Sequence, residues 1–167
     1  MDMAVFAMLG AVMYVSKVIM EILPNVHLLA MFTAAFTLVY RKRALIPIYI
    51  YILLNGLFAG FAPWWIPYLY IWLPLWGAVM LVSRIPMSRR VQVPVYMVVC
   101  ALHGLLFGTL YAPAQALMFG LNFQGMITWI IAGLPYDAIH AAGDFVAGAL
   151  TLPLAELLRR LERSRGN

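Results

Sequence analysis

Long apolar runs separated by short polar breaks make up nearly all of the 167-residue chain. A helix needs about 20 apolar residues to cross a bilayer, and most of these runs approach that length, although the second is short. The pattern therefore predicts an all-α integral membrane bundle of about six transmembrane helices, formed as a single domain by residues 1–167. The predicted spans cover residues 3–22, 27–40, 44–62, 64–82, 91–111 and 134–158.

The stretch 112–131 is apolar but interrupted, and it fits the pattern less well than the other runs. Pro113, Gly120, Asn122 and Gly125 divide it, and each is a residue that commonly ends or bends a helix. We therefore expect a re-entrant or interfacial segment here rather than a spanning helix.

The basic residues predict how the chain is oriented. Ten of the eleven Lys and Arg residues fall in three clusters, at 41–43, 84–90 and 159–165, and the remaining one is Lys17. With six spans, all three clusters lie on one side of the membrane, and the positive-inside rule makes that side cytoplasmic. Both termini are then cytoplasmic as well. The localisation predicted is a multi-pass protein of the cell membrane.

Composition excludes several other classes of protein. Hydrophobic residues make up 65% of the chain and charged residues 10%, whereas soluble domains carry about 25% charged residues. The net charge of +5 is clustered between apolar runs, which favours a topology signal and not a nucleic-acid surface. The lone Cys100 allows neither a disulfide nor a cysteine metal site. The first run lacks a basic leader and a clear cleavage site, so we interpret it as the first span and not as a signal peptide.

Catalytic and cofactor motifs are also missing from the sequence. It contains neither a phosphate-binding loop nor a zinc-protease motif. We therefore expect no enzyme, no metal and no cofactor.

The last predicted span carries three ionisable residues on one face, Asp137, His140 and Asp144. Offsets of three and seven place them within roughly 60° of each other around the helix. Ionisable side chains cost several kcal/mol inside a bilayer and are therefore candidates for function. They either contact a ligand or form hydrogen bonds between helices.

Aromatic side chains line the fourth span. Trp65, Tyr68, Trp72 and Trp76 share one face, at offsets of 0, 3, 7 and 11. Flat rings on an inward face can stack on a planar heterocycle or contact a cation. Core packing and an interfacial aromatic belt are the alternative explanations.

The remaining candidates lie near the predicted outer ends of the spans. Lys17 and Glu21 are four residues apart on the first helix and can neutralise each other. Asn55 and Trp129 add further polar groups. Together with the last span, these residues predict a pocket that opens to the exterior.

Three segments give the chain a resemblance to a known family. The first helix reads Ala-Met-Leu-Gly-Ala at 7–11, with Ala4 extending the strip, and residues 51–56 and 137–145 read Tyr-Ile-Leu-Leu-Asn-Gly and Asp-Ala-Ile-His-Ala-Ala-Gly-Asp-Phe. These segments resemble the first, third and sixth helices of the substrate-binding S components of energy-coupling factor (ECF) vitamin transporters. In that family, an Ala-x-x-x-Ala motif contacts the transmembrane T subunit. Small side chains at that spacing let two helices approach closely in lipid.

The resemblance implies a binding subunit of a prokaryotic importer. Its partners are a vitamin-like ligand, a transmembrane T subunit docked on Ala4, Ala7 and Ala11, and two cytoplasmic ATPases, and the subunit topples in the membrane to release its ligand. The aromatic and acidic residues favour a planar nitrogen heterocycle such as thiamine or its pyrimidine precursor. Two alternatives are a proton-coupled carrier or membrane enzyme that uses the Asp/His face of the last helix, and a purely structural subunit.

Overall fold

The computed structural model describes residues 3–23 and 26–165, and it confirms the all-α fold. Two short 3₁₀ turns, Arg41–Ala44 and Pro63–Trp65, lie between helices of the first half. The α-helices are α1 (Met3–Met20), α2 (Leu29–Tyr40), α3 (Leu45–Ala59), α4 (Tyr68–Val82), α5 (Arg89–Leu105), α6 (Phe107–Phe119), α7 (Phe123–Gly148) and α8 (Thr151–Arg165).

The chain reverses direction at the first basic cluster. Arg41 has a φ of 56°, and it is the only non-glycine residue with a positive φ in the described ranges. Its guanidinium donates a hydrogen bond to Ser83 Oγ at 2.6 Å, and its carbonyl accepts one from Trp76 Nε1 at 3.2 Å. These contacts with α4 and the residue after it stabilise a backbone conformation that is otherwise unfavourable for a side chain with a Cβ.

Contacts on both sides of this turn show the directions of α2, α3 and α4. α3 runs antiparallel to α4, because Tyr49 donates to the carbonyl of Leu69 and Trp65 donates to the carbonyl of Ile52. α2 packs along the same helix α4, where Ala30 and Ala34 join a buried cluster with Leu75 and Val79. Since α2 and α3 both run beside α4, the turn between them sends the chain back through the bundle.

α5 and α6 form one nearly continuous helical run, and α7 packs antiparallel to it. The close approach depends on glycine: a Cβ on Gly148 would lie 2.7 Å from Met97 Cα, and a Cβ on Gly104 would lie 3.0 Å from Ala141 Cα. Such short backbone separations give the extensive van der Waals contact that holds helices together in lipid.

The prediction of a re-entrant segment at 112–131 is wrong. Residues 112–119 continue α6, Gly120 ends that helix in the left-handed conformation (φ +66°), and the Asn122 side chain caps α7 by accepting a hydrogen bond from the Gly125 N–H at 2.8 Å. Gly120 and Asn122 are therefore the cap residues of a tight helical hairpin, whereas Pro113 lies within α6 and Gly125 in the first turn of α7. The predicted last span, 134–158, is likewise replaced by α7 and α8, which meet at a 47° bend.

Length and composition identify several membrane-spanning runs. Those long and apolar enough within the described residues are Met3–Met20, Leu29–Ala59, Pro63–Val82 and Arg89–Phe119, with α7 and α8 as a fifth if the bent pair is one span. The protein is therefore membrane-embedded. The count is lower than the predicted six because α2 and α3, with 12 and 15 residues, are linked only by the 3₁₀ turn Arg41–Ala44 and are counted together as one run.

The three basic clusters meet at one end of the bundle, which we call the basic end. Besides the Arg41–Ser83 contact, Arg89 forms an ion pair with Glu156 at 2.6 Å, and Arg159 donates to the carbonyl of Leu38 at 3.2 Å. α1 begins at this end, since Phe6 packs edge-on against Tyr40 with 5.4 Å between ring centroids. α8 ends there as well.

Candidate ligand-binding site

A cavity of about 230 Å³ lies between the helices at the Leu29 end of α2, which is the end away from the basic end. α2 begins at Leu29 and has only 12 residues, so it rises about 18 Å and stops well short of the thickness of a bilayer. Side chains from the neighbouring helices enclose the remaining space. The cavity is lined by Lys17, His27, Leu29, Tyr51, Tyr68, Trp72, Phe107, Tyr136, Asp137 and His140.

Aromatic rings form most of the cavity wall, with Phe107 at their centre. Its ring centroid lies 4.8 Å from that of His140, 6.2 Å from Tyr68 and 6.3 Å from Trp72. Trp72 in turn contacts Tyr51 edge-on at 6.1 Å. Rings from four helices, α3, α4, α6 and α7, therefore enclose a volume in which a flat ligand can stack.

Two of these aromatic residues carry buried polar atoms without a hydrogen-bond partner among the described residues. They are the Tyr51 hydroxyl and the Trp72 indole Nε1, on side chains exposed by 0% and 3%. Leaving a buried donor unpaired costs about 1–3 kcal/mol, so such groups usually have a partner. Both residues line the cavity, but the two atoms are buried in its wall, so either side chain must turn before it can donate to a ligand there.

Asp137 is fixed at the cavity by the backbone of α6. The Gly108 N–H donates to both carboxyl oxygens, at 3.1 and 3.2 Å. A Cβ on residue 108 would lie 2.5 Å from Asp137 Oδ2, so this arrangement requires glycine. The predicted acid thus lies in the cavity wall with a defined orientation.

His140 and Asp144 continue the polar face of α7 away from the cavity. The His140 ring lies 5.4 Å from the ring of His27, and its Nε2 is 3.6 Å from Asp144 Oδ2, beyond hydrogen-bonding distance. Asp144 is fully buried against Gly104 and has no hydrogen-bond partner in the described parts of the chain. Of the three predicted ionisable residues, two line the cavity and Asp144 lies one turn below it.

Charged residues from α1 and the following connection flank the cavity. Lys17, which lines it, forms a 2.5 Å ion pair with the exposed Glu21. The hydrogen bond and charge of Lys17 lower the pKa of the Glu21 carboxyl below its usual value. Burial lowers the pKa of His27 below 6.5, and the positive charge of Lys17 lowers it further. A cationic amine and a neutral imidazole thus lie close together at one side of the cavity.

Several residues predicted from the sequence lie outside the lining. Trp65 is on the 3₁₀ turn before α4 and bonds to α3, and Trp129 stacks on Tyr111 with 5.9 Å between centroids. Asn55 is buried on α3, one turn beyond Tyr51, and its amide is unpartnered among the described residues. Glu21 does not line the cavity, but it forms an ion pair with Lys17, which does.

Five lining residues were not predicted from the sequence: His27, Leu29, Tyr51, Phe107 and Tyr136. Tyr51 and Phe107 lie on different helices from the aromatic face at Trp72, so no spacing within a single helix connects them. His27 is the first residue of the predicted second span, and its position near Lys17 was the one available signal.

The three alanines predicted to dock a partner, Ala4, Ala7 and Ala11, are all exposed on α1. Gly10 belongs to the buried residues of α1, and a Cβ there would lie 2.9 Å from the carbonyl oxygen of Pro47.

Within residues 3–23 and 26–165, no group of three His, Cys, Asp or Glu side chains is arranged to hold a metal ion.

No family model, curated protein sequence or solved structure matches this chain.

Proposed function

We propose that the protein is a membrane-embedded, non-enzymatic binding subunit that captures a small planar heterocycle from the exterior for an ECF-type importer. The observation that carries the proposal is the 230 Å³ cavity, which is lined by Asp137 and five aromatic side chains, two of them with unpaired donors. Aromatic side chains combined with polar groups at defined positions are typical of small-molecule sites.

The size and chemistry of the cavity favour one class of ligand. An apolar cavity of about 150 Å³ in another protein accommodates benzene, so about 230 Å³ suits one or two rings and is too small for a cobalamin. Tyr51 and Trp72 would donate to ring acceptors, and Asp137 would accept from an amino group. A pyrimidine that carries an exocyclic amine, such as thiamine or its precursor, meets these requirements.

The membrane arrangement that we propose has six crossings, counting α2 and α3 as separate crossings and α5–α6 and α7–α8 as one each. The positive-inside rule then makes the basic end cytoplasmic and both termini cytoplasmic. The cavity lies toward the exterior. The exposed strip of Ala4, Ala7 and Ala11 would contact the transmembrane T subunit, and the two cytoplasmic ATPases would supply the energy.

The experiment that tests binding is a thermal-unfolding screen of the detergent-purified protein. Thiamine, its aminopyrimidine precursor and riboflavin serve as probes, and a ligand at 100 times its Kd raises stability by about 2.7 kcal/mol. Asp137→Asn should weaken the shift. Glu156→Gln removes a carboxylate at the basic end and should leave it unchanged. Absence of any shift, together with absence of co-purifying small molecules by mass spectrometry, contradicts the proposal.

A proton-coupled carrier is the second candidate, supported by the line of Asp137, His140 and Asp144 along α7. Asp144→Asn separates the two functions. A binding subunit should keep measurable affinity for its ligand after this change, because Asp144 does not line the cavity. A proton relay should lose uptake into liposomes altogether, and uptake by the isolated wild-type chain would itself favour the carrier.

A further inference from the structure

A second cavity, of about 470 Å³, lies at the basic end between the end of α2 and α8. It is widely open and lies about a helix length away from the cavity at Trp72. Three arginines and a single acid dominate its lining, which consists of Val39, Tyr40, Arg43, Arg159, Glu162 and Arg163.

The positive charge of this cavity is only partly compensated. Arg43 and Arg163 form no ion pair or side-chain hydrogen bond with any described residue, and Arg159 donates to the backbone carbonyl of Leu38. Glu162 accepts a long hydrogen bond of 3.5 Å from Tyr40. Guanidinium groups bind phosphate oxygens in paired hydrogen bonds, so three convergent arginines favour a phosphate group.

An apolar groove adjoins the basic cavity. It has a volume of about 240 Å³ and runs between α1 and α8, with Val5, Met8, Leu158 and Leu161 in its walls. Tyr40 and Glu162 belong to the walls of both spaces, so the two are adjacent. A phosphate site beside an apolar groove suits a molecule with an anionic head and a hydrocarbon tail.

The amphipathic pattern of α8 is typical of a helix at the depth of lipid headgroups. Its first half is apolar, with Leu152, Ala155 and Leu158 buried, and its second half carries the arginines. The 47° bend from α7 turns this amphipathic helix away from the axis of the preceding helix. Such helices lie at the boundary between acyl chains and headgroups.

We infer that the cavity at Arg43, Arg159 and Arg163 binds the phosphate of an anionic phospholipid, with one acyl chain in the groove between α1 and α8. Basic pockets between transmembrane helices on the cytoplasmic side are known to bind anionic headgroups. The inference is independent of the ligand taken by the cavity at Trp72.

The test is native mass spectrometry of the full chain, titrated with phosphatidylglycerol, phosphatidylcholine or inorganic phosphate. The double variant Arg43→Gln/Arg163→Gln removes two charges from the cavity, and Arg84→Gln/Arg90→Gln removes two charges from the same end outside it. Each arginine near an anionic lipid surface strengthens binding about fivefold. The cavity variant lacks two of them and should therefore bind phosphatidylglycerol about 30-fold more weakly. The control variant should bind as the wild type does, and phosphatidylcholine should bind weakly to all.

Several results would overturn the inference. Equal weakening in both double variants would indicate attraction by net charge alone. Inorganic phosphate that displaces the lipid at equal concentration would indicate a site for free phosphate. Phosphatidylcholine bound as tightly as phosphatidylglycerol would show that the arginines do not contribute. If the cavity variant does not fold, the single variant Arg163→Gln, with a smaller expected loss of about fivefold, gives the same comparison.

Discussion

Replacing Gly108 by alanine tests the geometry of the candidate site without knowledge of the ligand. The added Cβ would lie 2.5 Å from Asp137 Oδ2 and 3.1 Å from Cγ and Oδ1, whereas ordinary contact begins at 3.4 Å. The carboxyl group must therefore move by roughly 0.9 Å, because α6 and α7 are packed too closely to separate locally. Such a movement breaks one or both hydrogen bonds from the Gly108 N–H.

The size of the effect follows from two opposing terms. Loss of a hydrogen bond that leaves a buried carboxyl group unsatisfied costs about 1–3 kcal/mol. Alanine in a helix is favoured over glycine by about 0.5–1 kcal/mol. We therefore expect a net destabilisation of about 0–2.5 kcal/mol relative to the wild type, and of about 1–3 kcal/mol relative to a glycine-to-alanine change elsewhere in a helix that breaks no hydrogen bond. For a chain of this size, the second difference corresponds to roughly 2–12 °C in Tm.

The matched control is Gly133→Ala on α7, where a Cβ meets nothing within 4 Å. This substitution should leave Tm unchanged or raise it slightly, since only the helix propensity changes. Thermal unfolding of the three proteins in one detergent gives the comparison. If Gly108→Ala is as stable as Gly133→Ala, Asp137 does not pack against α6 as described, and its position in the cavity wall is wrong.

Two further changes test the ligand wall and its pH dependence. Trp72→Phe keeps a ring but removes the unpaired Nε1–H. Calorimetry should show that this variant binds the heterocycle about 2- to 10-fold more weakly, at unchanged Tm. Trp129→Phe, outside the cavity, is the control and should bind as the wild type does. The lowered pKa of His27 favours its neutral form in the folded protein. Above pH 6.5 the residue is mostly neutral in both states, and as the pH falls through 6.5 the unfolded chain takes up the proton before the folded protein does, so folding stability is lost. His27→Gln should therefore reduce the loss of Tm between pH 7.5 and 5.5, and an unchanged loss would contradict burial of the imidazole. Glu21 loses its ion pair only below about pH 4.5, outside this window.

The apolar pattern predicted the helical membrane fold because each run is long relative to its breaks. It also placed the basic residues correctly in relation to one another, since Arg41, Arg89 and Arg159 meet at one end of the bundle. The pattern did not distinguish a cap from an interruption. Gly120 and Asn122 stand between two helices in either interpretation, and only their contacts with α6 and α7 show a hairpin.

Helical periodicity predicted the site residues that share a face of one helix, but it did not predict contacts between residues on different helices. Asp137 and His140 share a face of α7, and Tyr68 and Trp72 share a face of α4, so helical periodicity was sufficient for both pairs. Phe107 joins these two faces, but its neighbours in sequence give no sign of this role. The contact depends on how α6 is placed by the glycines that face α7, which is a property of packing.

The shortness of α2 connects the fold with the cavity. A helix of 12 residues rises about 18 Å, and the hydrocarbon core of a bilayer is about 30 Å thick. In the six-crossing arrangement that we propose, other groups must therefore fill roughly 12 Å above Leu29. Small aliphatic side chains cannot fill that space from neighbouring helices, whereas the long rings of Tyr51, Trp72 and Phe107 can cover its sides without closing it. Polar side chains reach the same space from α1 and α7. The apolar run that forms α2 is short, and three basic residues follow it directly. Both the turn at the basic end and the cavity at the other end of α2 arise from this feature of the sequence.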